Sequence, residues 1–455
     1  MSNFLFNEFQ GVSAKEWKQK IQVDLKGADY NETLLWKTNE GITVKPFYHK
    51  DEMVYLPFKR NKREFSICQS IFVSEEKIAN FLAKDALKRG ASSIRFEANE
   101  PFDIEKLLES IVIPDQGALH FKLNFLSETF YDDLIKRLQK QTTFLNIDLI
   151  GNLIKSGNWF FDMKKDHAIL ESVLNKSSTN NNILSVDAAL YQNAGANVVQ
   201  QVAYALAHAN EYLNHFNGSQ VLENIEFQFA VSSNYFFEIS KLRAFRSLWK
   251  ILMDDYNLKT KASLYVLPSF RNKTIYDYNV NLLRTTTESM SAILGGADTI
   301  SNLAYDSVYH KKNEFGERIA RNQLIILQEE SYFKEAANAA DGSYYIETLT
   351  QQIAEKALHL FKDIEKSGGF LKQLFEGTIQ RKIDENAHKE QEQFDSKEEV
   401  LLGTNKFPNP KDKLKGDIEL YPFVKNKPRK TVIIPIIPKR LAEKVEQDRL
   451  DQEDV

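Results

Sequence analysis

Cysteine is almost absent from this sequence, because Cys68 is the only one among 455 residues. A single thiol excludes an internal disulfide and fits a protein of a reducing compartment. Because lone cysteines are more often small buried apolar residues than reactive groups, we interpret Cys68 as a structural thiol rather than as a thiolate.

Long apolar runs and a charge excess of one sign are missing too. No apolar stretch approaches membrane-spanning length, and the first ten residues, MSNFLFNEFQ, are too polar for a signal peptide. The 59 basic and 63 acidic residues leave a net charge of −4 without a sustained basic stripe, so neither membrane nor nucleic acid is an expected partner. These absences together predict a soluble cytoplasmic protein.

Short runs rich in β-branched and aromatic residues recur at a regular spacing. The first four begin 26 residues apart, and a helical pattern separates each from the next. Strand, helix and strand at this spacing indicate parallel βαβ units with right-handed crossovers. The predicted strands are 66–72, 92–98, 118–124, 144–150, 183–187, 225–230, 262–267 and 298–304, and the predicted helices between them include 75–88, 104–111, 128–140, 196–214, 236–253 and 280–294.

Eight such units are the number of a closed (β/α)₈ (TIM) barrel, and 455 residues with 42% apolar content suffice for a barrel with extensions. A doubly wound open sheet is the competing architecture. Because no GxGxxG motif follows the first predicted strand, the barrel is favoured.

Four segments are expected along the chain. Residues 1–42 form an N-terminal arm, with a helix over 14–25, that wraps a partner or folds back on the barrel, and residues 43–345 form the barrel. Residues 346–404 form C-terminal helices, with patterns over 346–364 and 370–386, and residues 405–455 form a linker and tail. Within the tail we expect 431–437 to be an edge strand or packed arm and 439–455 to fray.

Three blocks between residues 277 and 357 carry a family resemblance. They read RTTTESMSAILGG (284–296), ERIARNQLIILQEES (317–331) and DGSYYIETLTQQIAEKA (341–357), and KSGG (366–369) and LGTNKF (402–407) follow them. In this order they resemble the adenosylcobalamin-dependent methylmalonyl-CoA mutase family, and weaker similarity extends from 43 to 443. Residues 15–48 are similar to the opening of the family's small subunits, whose arms wrap the partner chain.

The resemblance implies a (β/α)₈ barrel threaded by its substrate and a radical rearrangement that interconverts methylmalonyl-CoA and succinyl-CoA. The cofactor supplies the difficult chemistry, while the protein binds, orients and excludes water. A thioester carbonyl needs a donor such as His, and a free carboxylate needs Arg.

The positions at which catalytic relatives carry these donors are degenerate here. After the fifth strand the relatives' Tyr-His pair is replaced by Ala189 and Leu190, although the Gln192 and 194–196 frame is retained. At the first strand, Ser70 stands where the relatives carry a Tyr wedged against the corrin, and Cys68 stands where they carry Arg.

The seventh strand shows the same loss. The relatives' Leu-Arg-Thr-His-Ser-Gln corresponds to residues 264–269, so Tyr265, Leu267 and Ser269 replace Arg, His and Gln. No counterpart of the substrate-binding Pro-Ser-Met-Arg segment occurs in 157–173. Because such groups act as a unit, we predict that this chain has no catalytic residues. Arg284, Thr285 and the 295–296 Gly pair match the family, and we interpret them as structural.

No cobalamin-binding motif is found either. The family motif is Asp-x-His-x-x-Gly, whereas Asp166 and His167 lack both its spacing and its Gly, and the chain ends where the cobalamin domain would begin. The remaining histidines show no metal-ligand spacing, so we predict no metal site and interpret all eight as surface or capping residues. Besides His167 these are His49, His120, His208, His215, His310, His359 and His388.

The leading hypothesis is a small, non-catalytic subunit of a heterodimeric mutase, whose larger partner holds both adenosylcobalamin and the acyl-CoA substrate. One alternative is a catalytic acyl-CoA mutase barrel that works with a separate cobalamin-binding chain. Another is a scaffold that binds a CoA ester without turnover.

Overall fold

The computed structural model describes residues 8–53, 65–216, 224–336, 338–425 and 428–453. In these residues eight parallel strands, here named β1 to β8 in chain order, close into a barrel in which β8 pairs with both β7 and β1. The (β/α)₈ prediction is confirmed, and the open-sheet alternative is wrong because such a sheet keeps two free edges. The strands are Ser66–Phe72, Ser93–Ala98, Leu119–Leu123, Thr143–Ile147, Asn181–Asp187, Asn224–Val231, Lys261–Pro268 and Thr299–Ile300.

Two strands end three or more residues before their predicted ends. The fourth was expected to run to Ile150, but it ends at Ile147 because Asp148 accepts a hydrogen bond from the Gly151 amide (2.7 Å) and caps the next helix. The eighth was expected over 298–304 but pairs only at Thr299–Ile300. The helix Leu149–Ser156 therefore takes the place of the end of the fourth expected strand, and a loop takes the place of the end of the eighth.

Helices surround the barrel and bury their apolar faces against it. Those of the barrel region are Glu76–Lys88, Ile104–Leu108, Glu128–Arg137, Leu149–Ser156, Met163–Lys176, Ala189–Asn193, Val198–Phe216, Tyr235–Asp255, Val280–Leu294 and Glu314–Ile325. Leu149–Ser156, Met163–Lys176 and Ala189–Asn193 were not predicted. The apolar periodicity of the block ERIARNQLIILQEES also predicts a helix over 317–330, and the helix that forms there, Glu314–Ile325, changes at Ile326–Glu330 to a π-helical turn.

The C-terminal helices complete the outer layer. Tyr344–Lys366 packs against Val198–Phe216 and Tyr235–Asp255. The helix expected over 370–386 is two helices, Phe370–Phe375 and Thr378–Asp395, because Gly377 between them adopts a φ of 73°.

The last described segment packs on the barrel instead of fraying. The Ile433 and Ile436 side chains are buried, and the Ile436 amide donates to the Ile154 carbonyl (2.9 Å), so this stretch is a packed arm. The prediction that 439–455 frays is wrong for the described residues 439–453, because Glu443–Gln452 is a helix, and residues 454–455 lie outside the description. It is held by a buried Arg440–Glu446 ion pair (2.6 Å) that the charged sequence pattern did not reveal.

The N-terminal segment contacts the body more loosely. Its helix Ala14–Asp24 begins with a capping box at Ser13 and buries none of its residues. Trp17 stacks on Phe47 with ring centroids 4.4 Å apart, and a hairpin of Trp36–Lys37 and Thr43–Val44 follows. The division into four segments remains a prediction. Among the described residues no helix is long and apolar enough to cross a membrane.

Candidate functional site

The chemistry of a parallel barrel is expected at the carboxyl ends of its strands and in its lumen. Alternate strand residues face the lumen, and here many of them are polar or charged. They are Cys68 and Ser70 on β1, Arg95 and Glu97 on β2, His120 and Lys122 on β3, Asp187 on β5, Glu226 and Gln228 on β6, and Tyr265 on β7.

Stacked rings and a guanidinium fill the middle of the lumen. The Arg95 guanidinium carbon lies 4.5 Å from the centre of the Tyr265 ring, a cation–π contact. The His120 ring stacks on Phe144 at 4.7 Å and meets the edge of the Tyr265 ring at 5.3 Å. His120 Nδ1 lies 2.8 Å from Glu226 Oε2. These side chains occupy the axis along which a substrate would have to thread.

Burial explains the protonation of two groups beside this stack. It raises the pKa of the Cys68 thiol to about 12, although Tyr265 donates a hydrogen bond to Cys68 Sγ (3.7 Å). Burial likewise raises the pKa of the Tyr265 hydroxyl. At neutral pH both groups are therefore protonated, and Cys68 is the structural thiol that the sequence predicted.

A second polar layer closes the mouth of the barrel. Ser70 donates to Glu97 Oε1 (2.8 Å), and Lys312 from the loop after β8 donates to the Ser70 carbonyl (2.8 Å). Lys122 and Asp187 form an ion pair of 2.9 Å. Burial opposes ionisation of Glu97, but the positive charges of Arg95, Lys122 and Lys312 lower its pKa to about 2. The layer is thus ionised and internally paired.

The structure places the six degenerate positions in two groups. Ser70 and Tyr265 face the lumen and are linked through Glu97 and Arg95. Ser269 lies under the short helix of Ala189 and Leu190, donating to Gln192 Oε1 (2.7 Å). Leu190 lines the mouth, whereas Leu267 is half-buried at the end of β7. Leucine and alanine side chains can neither donate a hydrogen bond nor exchange a proton.

A buried hydrogen-bonded chain, which the sequence analysis missed, supports the Leu190 helix. The Tyr191 hydroxyl contacts His208 Nδ1 (2.9 Å), and His208 Nε2 contacts Asp148 Oδ1 (2.9 Å). Asp148 also accepts from the Tyr212 hydroxyl (2.9 Å) and the Asp187 amide (2.8 Å). Because these donors satisfy the carboxylate, Asp148 is a structural hub.

The interpretation of all eight histidines as surface or capping residues is wrong for three of them. His120, His167 and His208 are buried. The spacing of these histidines in the sequence does not indicate their burial. The alternation of polar residues along the strands, clearest at Arg95 and Glu97, could have indicated that the lumen is polar.

Asp166 and His167, the pair that comes nearest to the family's corrin motif, are not placed to ligate a corrin. His167 Nδ1 contacts the Met163 carbonyl (2.7 Å), and its ring packs against Trp159 and His215, so burial lowers the pKa of this imidazole without presenting it to a ligand. Asp166 accepts from two backbone amides of the preceding loop. In the described part of the chain, no group of three or more His, Cys, Asp or Glu side chains could hold a metal ion.

The retained family positions have structural contacts. Arg284 donates to Thr274 Oγ1 (3.0 Å) and to the Leu402 carbonyl (2.7 Å), joining two loops. A Cβ at Gly295 would meet Leu242 Cδ1 at 2.8 Å, so a larger residue there would push apart two packed helices. These contacts agree with a structural reason for the retention.

Fold and site together define a (β/α)₈ barrel protein with a filled polar lumen, and comparison with known proteins supplies the family. The sequence profile of methylmalonyl-CoA mutase matches residues 134–433. The methylmalonyl-CoA mutase small subunit of Porphyromonas gingivalis is 33% identical over 89% of this chain and 71% of its own length. The chain therefore belongs to the methylmalonyl-CoA mutase family.

Other relatives are more distant. A methylmalonyl-CoA mutase of Cereibacter sphaeroides is 27% identical over 86% of this chain, which spans 64% of that relative's length. Among solved structures, dihydropteroate synthase of Thermus thermophilus aligns with 61% of this chain and 99% of its own at 13% identity and a TM-score of 0.33. A likeness this low carries no functional argument.

Proposed function

We propose that this chain is the small, non-catalytic subunit of an adenosylcobalamin-dependent methylmalonyl-CoA mutase. A larger homologous subunit carries the reacting side chains, the cobalamin and the acyl-CoA substrate, and interconverts methylmalonyl-CoA and succinyl-CoA. The barrel of this chain supports that subunit in a heterodimer.

The filled lumen is the observation that carries the proposal. A thioester on the barrel axis would have to displace the stack of Arg95, Tyr265 and His120 and leave Glu226 buried without its partner. Breaking a buried pair in this way costs about 3–5 kcal/mol before any contact to a substrate forms. At the end of the fifth strand, Ala189 and Leu190 stand where the relatives carry Tyr and His, so these two positions offer a substrate no donor in return.

The residues at the mouth of the barrel support the assignment of cobalamin to the partner. Ser70 has no aromatic ring to lie against a corrin. Its hydroxyl and its carbonyl are already hydrogen-bonded to Glu97 and Lys312. In this chain His167 is held inside a helix pair. These contacts support a corrin held by residues of another chain.

Two observations support a larger partner. The Porphyromonas gingivalis relative is named a small subunit, which implies a larger one. In this chain the arm helix Ala14–Asp24 buries no residue, and Val23 and Trp17 are 72% and 44% exposed. Exposed apolar side chains of this size are typical of a surface that another chain covers.

Purified protein tests the proposal directly. The chain alone, the larger subunit alone and the mixture are each assayed for isomerisation of methylmalonyl-CoA in the presence of adenosylcobalamin. We expect no turnover by this chain alone and turnover by the mixture, with both chains eluting together in gel filtration. Turnover by this chain alone would refute the proposal.

The two alternatives are separated by further arms of the experiment. Adding a free cobalamin-binding domain to this chain should give no activity, whereas activity would support a split catalytic enzyme. Calorimetric titration of this chain with methylmalonyl-CoA and succinyl-CoA should give no saturable heat, whereas saturable binding would favour a CoA-ester scaffold.

A further inference from the structure

A groove lies between the arm helix Ala14–Asp24 and the body of the protein, and it is here called the arm groove. Its volume is about 630 Å³. The arm helix forms one side of it, and the body side includes Lys356 of the helix Tyr344–Lys366. The arm helix buries none of its residues, so the space between it and the body is open to another group. The lining residues that matter for its chemistry are Lys15, Lys18, Tyr30, Ile42, Phe47 and Lys356.

The arm groove is positively charged, although the whole chain has a net charge of −4. Its described lining contains four lysines and one glutamate. Lys45 pairs with Glu52 at 2.9 Å, which leaves three lysines. In the part of the chain that the structure describes, Lys15, Lys18 and Lys356 have neither a hydrogen bond nor an ion pair. Three positive charges therefore remain for a group of opposite sign.

The floor of the groove between these lysines is apolar. Ile42 and Tyr30 are buried, and the half-buried Phe47 ring stacks on Trp17 at 4.4 Å. Lys18 Nζ lies 4.9 Å from the centre of the Tyr30 ring, so this ammonium group is held over the floor. An apolar centre with a polar rim is the arrangement of a protein–protein interface.

We propose that the arm groove binds an acidic segment of the larger subunit. Carboxylates of that segment pair with Lys15, Lys18 and Lys356, and an apolar side chain between them packs on Phe47. Complementary charge of this kind steers association and fixes the register of two chains. The inference rests on the proposed subunit role and adds where the larger subunit is held. Because Lys356 belongs to the body, the interface includes the inner side of the arm as well as its exposed outer face.

The affinity of the two purified full-length subunits for each other tests this groove. The dissociation constant of the heterodimer is measured by calorimetry at low and at high salt. A triple variant with Lys15→Met, Lys18→Met and Lys356→Met removes the three charges but keeps long side chains. At low salt it should bind the larger subunit at least about tenfold more weakly than wild type, because three ion pairs are lost together. The difference should shrink at high salt, which screens exposed charges.

A single variant and a control make the test specific. Lys356→Glu places a like charge against the acidic segment and should weaken binding about fivefold or more, although the arm itself is unchanged. Lys250→Glu makes the same change at an exposed lysine of the helix Tyr235–Asp255 that does not line the groove, and it should leave the affinity unchanged. In the wild-type protein, amide exchange across Ala14–Asp24 should slow when the larger subunit is added, because the arm helix becomes covered.

Three results would overturn the inference. They are undiminished affinity of the triple variant, equal weakening by Lys250→Glu, and dimerisation of this chain alone through the same three lysines, which would place a second copy in the groove. If the wild-type subunits associate and the lysine variants bind equally well, only this inference fails. If the wild-type subunits do not associate at all, the proposed subunit role fails with it.

Discussion

Replacing Arg95 with Met tests whether the lumen is held by its internal charges. Arg95 is buried between the Tyr265 ring and Glu97, whose carboxylate lies 3.7 Å from Arg95 Nε. The pKa of Glu97 falls from the usual 4.5 to about 2 in the folded protein, a shift worth about 3 kcal/mol at about 1.4 kcal/mol per unit. Because the Glu97 side chain is 35% exposed and therefore screened, about 2 kcal/mol of this is realised.

Arg95 supplies the largest part of this stabilisation, which Lys122 and Lys312 share, and its replacement also removes the cation–π contact to the Tyr265 ring. From the two losses together we expect the Arg95→Met variant to lose about 2 kcal/mol of unfolding free energy at pH 7, measured by urea denaturation. The lowered pKa stabilises the fold above pH 4.5, and this stabilisation is lost as the pH falls toward 2 and Glu97 becomes protonated. The gap between wild type and variant should accordingly narrow as the pH is lowered from 4.5.

The matched control is the double variant Arg95→Met with Glu97→Gln. A neutral glutamine leaves no unpaired carboxylate, so the double variant should be more stable than Arg95→Met alone by about 1 kcal/mol. A loss below about 0.5 kcal/mol in the single variant, the level of an ordinary surface substitution, would contradict the reasoning. So would a loss that does not change with pH.

Three further outcomes are expected. Cys68 has a pKa of about 12 in the folded protein, so at pH 8 only about one folded molecule in ten thousand carries an ionised thiol. It should therefore not react with a disulfide reagent until urea unfolds the protein, and rapid labelling of the folded protein would contradict its burial. Asp148→Asn places an amide NH₂ against hydrogen-bond donors and should lower the unfolding free energy, measured by urea denaturation, by about 2–4 kcal/mol. An unchanged unfolding free energy would show that Asp148 does not stabilise this hydrogen-bonded chain. Arg440→Met should leave Glu446 uncompensated and speed amide exchange across Glu443–Gln452, whereas the exposed control Lys444→Met should not; equal exchange rates would show that the ion pair does not hold this helix.

The architecture was largely predictable because its signals are local. The alternation of short β-branched runs with helical patterns depends on neighbouring residues, and it predicted the eight strands to within a few positions. Where the pattern predicted the wrong structure, a contact between residues outside the pattern determined the structure. Asp148 ended the fourth strand by capping a helix, and the Arg440–Glu446 pair ordered a tail whose charge predicted fraying.

For the site, the sequence predicted only which donor side chains are missing. Aligned family blocks indicated that Ala189 and Leu190 replace a donor pair, and this needed no coordinates. They could not indicate what fills the lumen, because the packing of Arg95 on Tyr265 depends on the closure of the barrel. Nor could they show that His208 and Asp148, 60 residues apart, meet beneath the Leu190 helix.

By itself, then, the sequence determined the barrel and the family and predicted the missing donors, since each depends on residue types and short-range spacing. Only the tertiary structure decided which inward side chains meet across the lumen, such as Arg95 on Tyr265 and His120 beside Glu226. The reason is geometric. Strand register and a single irregularity in β4 set which residues face one another, and neither leaves a mark in the order of the amino acids.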